Sequence, residues 1–544
     1  MIPFSFKGFA VAAGVVLAFG LQMGRTFPVM LDGDSPFQNS LAGSQIRHGS
    51  GAWGAAWADV DNDGWLDLAV FAGLGNFALL RNLGDGTFAD VTEGSGIIPP
   101  LAYNLGGAFA DFNNDGCSDL YLAVGDEEDS LSLDVLYRGN CDGTFTDVSL
   151  PAGIGNPGYG VGVAWADYDN DGFLDTYVTN RGKFRDGALT REHNVLWRNS
   201  GDGTFANVAQ ALGVGGFAPS CFTEGAFWTQ RKPDGAESMR KIAMQPVWFD
   251  YDSDGDQDLF VATEELPSPL YENLGDGSFA EATERVKLCA STSYMGVAPG
   301  DYDNDGDLDL YVTDDGPNAL FMNGGAGAFV PVARALGVDD ELALGWGTGF
   351  FDYNNDGFLD LYIANGRVAE RDEVIKFDKV YKNERGEGFR QVSSKGELRE
   401  NIATRAAAFG DYNRDGFTDV FVSSSPFLPG SHHRLFEYEG NGNNWLTVKL
   451  VGTVSNASAI GARIILDRGG LIQTREVRSG SSYASQDSLW QTFGLGSFKR
   501  ADSIEVRWPS GARTLLYGVG ANQEIVITEG KEGFRAEKPP GNGG

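Results

Sequence analysis

The chain has 544 residues, 42% hydrophobic and 12% aromatic, with 76 glycines, which is enough apolar material for several domains or one large repeat architecture rich in tight turns. Its formal net charge of −34 excludes nucleic acid as a partner, because phosphate binding needs a basic patch. The charge is either a solvated acidic surface or a set of carboxylates gathered into cation sites, and the distribution of the aspartates decides between these.

The first 26 residues place Lys7 before an apolar run from Phe9 to Leu21, with Arg25 after it. That run is short for a bilayer span and fits the core of a secretory signal, with Ala18-Phe19-Gly20 as a small-x-small cleavage site. Residues 1–26 are therefore expected to be a signal peptide, with an uncleaved N-terminal anchor as the alternative and no other integral membrane segment. The expected location is secreted, periplasmic or cell-surface.

Next comes SPFQNSLAGSQI, and then a nine-residue motif that recurs seven times at start-to-start spacings of 52, 56, 83, 51, 51 and 59. Such spacing identifies a repeat unit of about fifty residues. The copies are DVDNDGWLD (59–67), DFNNDGCSD (111–119), DYDNDGFLD (167–175), DYDSDGDQD (250–258), DYDNDGDLD (301–309), DYNNDGFLD (352–360) and DYNRDGFTD (411–419). Each is preceded by a small or apolar stretch such as GAAWAD and followed by an apolar run such as LDLYVT. A shorter run follows, ending at Asn82, Asn140, Asn199, Asn273, Asn323 or Asn383. Then come a Gly-rich turn and a strand opened by Phe88, Phe145, Phe205, Phe279, Phe329 or Phe389. Four short strands per unit, with no helical periodicity, predict an all-β seven-bladed β-propeller over residues 27–440. The seventh unit, RLFEYEG, lacks its own Phe strand, and Phe37 stands in the right place to supply it. A strand near 37–46 is expected to close the ring.

Within the motif, Asp or Asn at positions one, three and five can face one centre. Gly at position six permits the sharp turn, the carbonyl at position seven adds an oxygen, and Asp at position nine completes the shell. Hard oxygen ligands in a flexible loop suit Ca²⁺ better than Mg²⁺. A polar hairpin explains one Asp-Gly turn, but not four spaced oxygen ligands in seven copies. The candidate ligands are Asp59, Asp61, Asp63, Trp65 and Asp67 in the first loop; Asp111, Asn113, Asp115, Cys117 and Asp119 in the second; and Asp167, Asp169, Asp171, Phe173 and Asp175 in the third. The fourth offers Asp250, Asp252, Asp254, Asp256 and Asp258, and the fifth Asp301, Asp303, Asp305, Asp307 and Asp309. The sixth offers Asp352, Asn354, Asp356, Phe358 and Asp360, and the seventh Asp411, Asn413, Asp415, Phe417 and Asp419. At position seven only the backbone carbonyl is meant, which its varied side chains allow. Up to seven Ca²⁺ are expected, the second, sixth and seventh sites being weaker for having Asn at position three.

Cys117 lies in the second loop and Cys141 just before the Phe strand of the same unit, so the blade geometry favours a Cys117–Cys141 disulfide. Cys221 and Cys289 are expected to pair across the insertion at 212–246; buried free thiols are the alternative. That insertion, with Phe222, Phe227, Trp228, Arg231, Lys232, Arg240 and Lys241, and the excursion at 181–193 are expected on the face opposite the aspartate loops, as a ligand platform or a lid over the channel.

After residue 440 the aspartate loops stop. Alternating strands such as LTVKL, ARIIL, SIEVRW and QEIVIT predict a small separate β module at 441–530, and residues 531–544 are expected to be disordered. The repeats resemble FG-GAP/VCBS repeats of the integrin α-subunit type. Through AIGARI, REVRSGSSYASQ, FGLG and ADSIEVRWPSG the module resembles the ASPIC/UnbV domain. Together they resemble the cartilage acidic protein family. That resemblance implies a secreted or surface calcium-binding protein linked to adhesion or matrix, with no known reaction.

The functional expectation is an adhesion or ligand-binding module for a protein or glycan partner. The alternative is a polysaccharide-acting enzyme with its site in the propeller channel or the loops around it. The four histidines, His48, His193, His432 and His433, form no recognisable catalytic constellation, and His432-His433 is expected in an exposed loop. No catalytic residue is assigned. Asn456-Ala457-Ser458 is a glycosylation sequon, meaningful only in a eukaryotic secretory route.

Overall fold

Every aspartate loop joins a first strand rich in small residues to a second made of β-branched and aromatic ones, and this pairing repeats seven times. In the computed structural model, residues 37–39 and most of 51–537 are described. Residues 1–36, 40–50, 126–132, 217–220, 222–241, 367–376, 394–402, 425–431 and 538–544, with several shorter loop stretches, lie outside the described residues. The first sheet runs Ala52–Ala58, Asp67–Ala72, Phe77–Asn82 and Phe88–Asp90, each strand antiparallel to the next. Six further four-stranded antiparallel units repeat this order, the third and fourth joined into one eight-stranded sheet where Arg181 pairs with Ile242. Their first strands are Tyr103–Ala110, Tyr159–Ala166, Ile242–Phe249, Tyr294–Gly300, Leu344–Phe351 and Thr404–Gly410. Each first strand packs against the first strand of the next sheet, and the seventh packs against the first, which closes a propeller-like ring.

The seventh sheet takes its outer strand from the other end of the sequence. Phe37–Asn39 pairs with Arg434–Tyr438, Phe37 opposite Tyr438. The strand is three residues long, within the expected 37–46.

Two contacts, repeated from sheet to sheet, hold neighbours together. The aromatic residue at motif position two packs on the opening Phe of the next sheet: Phe112 on Phe205 at 5.6 Å, Tyr168 on Phe279 at 5.5 Å, Tyr302 on Phe389 at 5.7 Å and Tyr412 on Phe88 at 5.4 Å. The backbone carbonyl of the same residue accepts from the Asn ending the next sheet's third strand. Thus Asn199 Nδ2 donates to Phe112 O, Asn273 to Tyr168, Asn323 to Tyr251, Asn383 to Tyr302, and Asn82 to Tyr412 across the closure. A buried carbonyl left without such a donor would cost about 1–3 kcal/mol. The second sheet departs from the expected pattern: Gly139, not Asn140, stands opposite Phe145. There the N–H of Gly143 donates to Val60 O instead.

Residues 444–537 form two more four-stranded sheets, one antiparallel and one in which Asn444–Val451 runs parallel to Gln523–Thr528. They do not stand apart. Leu446, Ile464, Phe493, Ile504 and Ile527 share one buried cluster with Phe112, Trp165 and Phe205 of the second and third sheets. Arg535–Glu537 pairs with Gln523–Thr528, so ordered structure extends past residue 530 because the edge of that strand is still open. Both disulfides, Cys117–Cys141 and Cys221–Cys289, are formed. Of the insertion, 217–220 and 222–241 lie outside the described residues; the excursion contributes a short ribbon, Phe184–Arg185 with Ala188–Leu189.

Candidate functional site

The aspartate loops are built by their own hydrogen bonds. At position one the carboxylate accepts from the position-six glycine, as Gly64 N to Asp59 at 3.0 Å and Gly306 N to Asp301 at 3.2 Å. At position nine it bridges the loop to the third strand: Asp309 accepts from Tyr302 N at 3.2 Å and Asn323 N at 2.8 Å, and Asp67 from Val60 N at 3.0 Å and Asn82 N at 2.8 Å. Position five lends one oxygen to the N–H of position seven, as Asp307 N to Asp305 at 3.0 Å.

The structure brings together Asp59, Asp61 and Asp67 in the first loop, Asp167, Asp169 and Asp175 in the third, and Asp301, Asp303 and Asp309 in the fifth. In the fourth it gathers Asp250, Asp252 and Asp254. In each group one oxygen from every carboxylate lies within 4.8 Å of the others. Position five joins a group only in the fourth loop; Asp63 and Asp305 are exposed, each with one oxygen committed to the backbone. In the second and sixth loops the position-three amide faces the acids, Asn113 Nδ2 donating to Asp115 at 2.9 Å and Asn354 Nδ2 to Asp360 at 3.2 Å.

These carboxylates carry a cost that their own hydrogen bonds do not remove. Burial, aided by repulsion from Asp303 and Asp301, pushes Asp309 up to about 9 despite the two backbone donors. Burial likewise pushes Asp67 and Asp119 up to about 8 and holds Asp175 and Asp258 well above the usual carboxylate range. Several oxygens of these groups, Asp59 Oδ1, Asp169 Oδ1, Asp301 Oδ1 and Asp303 Oδ1, are buried with no hydrogen-bond partner. A native fold rarely leaves such atoms unsatisfied. A divalent cation answers both problems, supplying positive charge and occupying the orphaned lone pairs, so the residues present fit a metal ion bound through oxygen. Basic side chains help at the edge: Arg81 reaches Asp61 at 2.5 Å and Arg198 reaches Asp169 at 2.6 Å.

The space inside the ring is not open. Residues 478–488, between two strands of the C-terminal sheets, meet the first strand of all seven ring sheets. Gln486 N donates to Ala55 O at 2.9 Å, Phe109 N to Gln486 Oε1 at 2.5 Å, and Trp165 N to Ser479 O at 3.1 Å. Ala484 N donates to Gln245 Oε1 at 2.8 Å, Ser482 and Val297 exchange two backbone bonds at 2.8 Å, and Thr348 N donates to Ser482 Oγ at 3.0 Å. Phe409 N donates to Asp487 Oδ1 at 3.0 Å. The inner strands present unpaired N–H and C=O groups toward the axis, and this small, hydroxyl-rich loop satisfies them. Gly54 shows how closely it fits: a Cβ there would lie 2.0 Å from Ala484 O. The axis is therefore occupied by the chain itself, with a cavity left beside it that is lined by Phe350, Phe409, Arg475, Arg478 and Asp487. The signal was in REVRSGSSYASQDS, a run of small polar residues around one Tyr, but nothing local says what such a run packs against.

The C-terminal sheets also rest on the aspartate loops. Arg463 donates to Asp250 O and to Ser253 Oγ, both at 2.8 Å, Arg468 donates to Asp356 O, and Arg414 pairs with Glu524. His433, expected in an exposed loop, is buried and accepts from Ser424 N at 3.2 Å; His432 is exposed.

A ring of repeated sheets with an acidic loop on each defines a class, and family comparison agrees with it. Residues 59–122, 119–178, 250–312 and 301–363 match the FG-GAP-like repeat, and residues 452–533 match the ASPIC and UnbV domain. The chain thus carries FG-GAP-like repeats and an ASPIC and UnbV domain. It is similar to cartilage acidic protein 1 of Xenopus tropicalis, 25% identical over 485 residues, covering 84% of this chain and 70% of that protein. The Homo sapiens protein of the same name is 23% identical over 485 residues, covering 84% and 69%. Among solved structures, an Agrocybe aegerita lectin that recognises non-reducing terminal N-acetylglucosamine covers 63% of this chain and 79% of its own at 17% identity. Its TM-score of 0.36 carries no argument about ligand.

Proposed function

We propose that this chain is an extracellular ligand-binding or adhesion module, a seven-bladed propeller over residues 27–440 whose aspartate loops bind up to seven Ca²⁺. The observation that carries the calcium reading is the convergence of buried carboxylates with orphaned oxygens in loops of one repeated design. Positions one, three, five and nine supply side-chain oxygens and position seven a carbonyl, and calcium tolerates such irregular oxygen shells. Seven ions would bring the net charge from −34 to −20. The ASPIC and UnbV module at 441–530 is the propeller's cap and its axial plug, so the two act as one rigid body. Two disulfides support secretion, periplasmic placement or surface display, with residues 1–26 as signal or anchor. The partner is a protein or glycan that meets a rigid surface. The test is glycan-array and protein-array binding with and without calcium, alongside ion counting by native mass spectrometry. Seven ions and calcium-dependent partner binding are expected; a protein that takes up no calcium at millimolar concentrations overturns the proposal.

A further inference from the structure

Position four of each loop lies outside the proposed ligand shell, yet all seven residues there share one unusual conformation. Asn62, Asn114, Asn170, Ser253, Asn304, Asn355 and Arg414 have φ between 54° and 64°, a left-handed backbone that costs energy outside glycine and is best tolerated by Asn. In each case the side chain reaches the next loop of the ring. Asn62 Nδ2 donates to Gly116 O at 3.1 Å, Asn114 to Gly172 at 2.9 Å, Asn304 to Gly357 at 3.0 Å and Asn355 to Gly416 at 2.8 Å. Each acceptor is the position-six glycine. Arg414 does the same from the last loop to the first, Nη1 to Gly64 O at 3.1 Å. The two remaining links use a side chain as acceptor: Asn170 donates to Asp256 at 2.7 Å, and Ser253 hydrogen-bonds Asp307. Asp stands at position seven only in those two loops.

The acceptor peptide is held from its other side as well. In all seven loops the N–H of position seven donates to the position-five carboxylate of the same loop, at 2.8–3.2 Å. So in five of the loops the peptide between positions six and seven is fixed by the preceding loop through its C=O and holds the position-five carboxylate through its N–H; in the fourth and fifth loops the preceding loop holds the position-seven side chain instead. The position-seven carbonyl, a second ligand, is one residue further on.

We infer that position four is a positioning residue for the cation site of the following loop, and that the seven sites form one closed circuit. This rests on the calcium reading above. An ion that orders one loop orders position four, which holds the next loop's peptide in its ligating plane. Uptake is then cooperative around the ring. The last link, Arg414, also pairs with Glu524, so closure depends on the docked C-terminal sheets.

The test is Asn304→Gly in the full chain, read by calcium titration with native mass spectrometry. Glycine accepts φ of 59° and removes only the donor, so backbone strain is not introduced. Loss of one hydrogen bond to the sixth loop is expected to weaken one site by about three- to tenfold and to lower the cooperativity of uptake. The affected site is located by Asp352→Asn, which disables the sixth loop: in that background Asn304→Gly is expected to change nothing further. An equal loss in both backgrounds places the effect in the fifth loop itself and overturns the inference, as does an unchanged titration. Asn62→Gly read against Asp111→Asn repeats the test at the second loop if the first pair does not fold. A wild-type chain that binds no calcium sinks the calcium reading and the circuit together. A chain that binds calcium while both glycine variants are silent sinks the circuit alone.

Discussion

Asp301→Asn removes one charge from the fifth loop at almost constant volume. A site with Kd of about 0.1 mM, within the range of extracellular calcium modules, stabilises the folded chain by about 2.7 kcal/mol at roughly 10 mM calcium. Unfolding entropy near 2.1 cal/mol/K per residue, over the roughly 500 residues of the compact unit Leu31–Gly544, gives about 1 kcal/mol/K at the midpoint. One loop is then worth about 3 °C of Tm, and seven about 19 °C. Scanning calorimetry with and without 10 mM calcium measures the shift directly. Asp301→Asn is expected to reduce it by about 3 °C and the bound ions by one. Glu93→Gln, the same charge change at an exposed position outside the loops, leaves the shift intact. A wild-type shift under about 2 °C refutes the reasoning that the loops are stabilising cation sites. A full shift in Asp301→Asn refutes the ligand assignment.

The raised carboxylates give a pH dependence of definite sign. Asp67, Asp119 and Asp309 bind protons more tightly folded, at about 8, 8 and 9, than unfolded, so in calcium-free buffer stability falls as pH rises from about 4 toward 9. Calcium's stabilising shift grows over the same window; melts at pH 5, 7 and 9 check this, and a shift independent of pH counts against it. Glu529 has the opposite sign. Its burial opposes ionisation, but donors from Ser510, Thr453, Val454 and Ser455 outweigh that and hold it down to about 2. The stability it contributes is present above about 4.5 and lost as pH falls toward 2, so the Tm gap between wild type and Glu529→Gln is expected to close over that range. Gln486→Ala removes two of the axial loop's bonds to Phe109; Phe109 O keeps its donor from Ser479 Oγ, and the one unsatisfied N–H is expected to lower Tm by about 1–3 °C with calcium present. Gly54→Ala is expected to lower Tm further, since its Cβ would collide with Ala484 O; a neutral result for both would mean the loop is not seated at the axis.

The repeat unit, its four strands and the closing strand at Phe37 were legible because each is a local pattern repeated: alternation, Asp-Gly turns, and an opening Phe missing from one end and present at the other. The aspartate loop was legible for the same reason, since its clustered carboxylates lie within nine residues. Position four was not. Asn62 or Asn304 reads as one more turn residue, and its hydrogen bond goes to a loop more than fifty positions away. The second sheet misled in a smaller way, because Arg-Gly-Asn offers an Asn one residue past the place where pairing puts Gly139.

By itself, then, the sequence determined the units and their chemistry: all-β strands, seven acidic loops and a distinct C-terminal module. Only the tertiary structure decided where that module goes. Residues 478–488 have no period and no charge pattern, because what selects them is the set of seven inner strands around one axis, each offering backbone groups that a short, small-residue loop can reach. A constraint shared among seven distant segments leaves no local trace, and so the filled axis and the circuit of position-four side chains appear only when the ring closes.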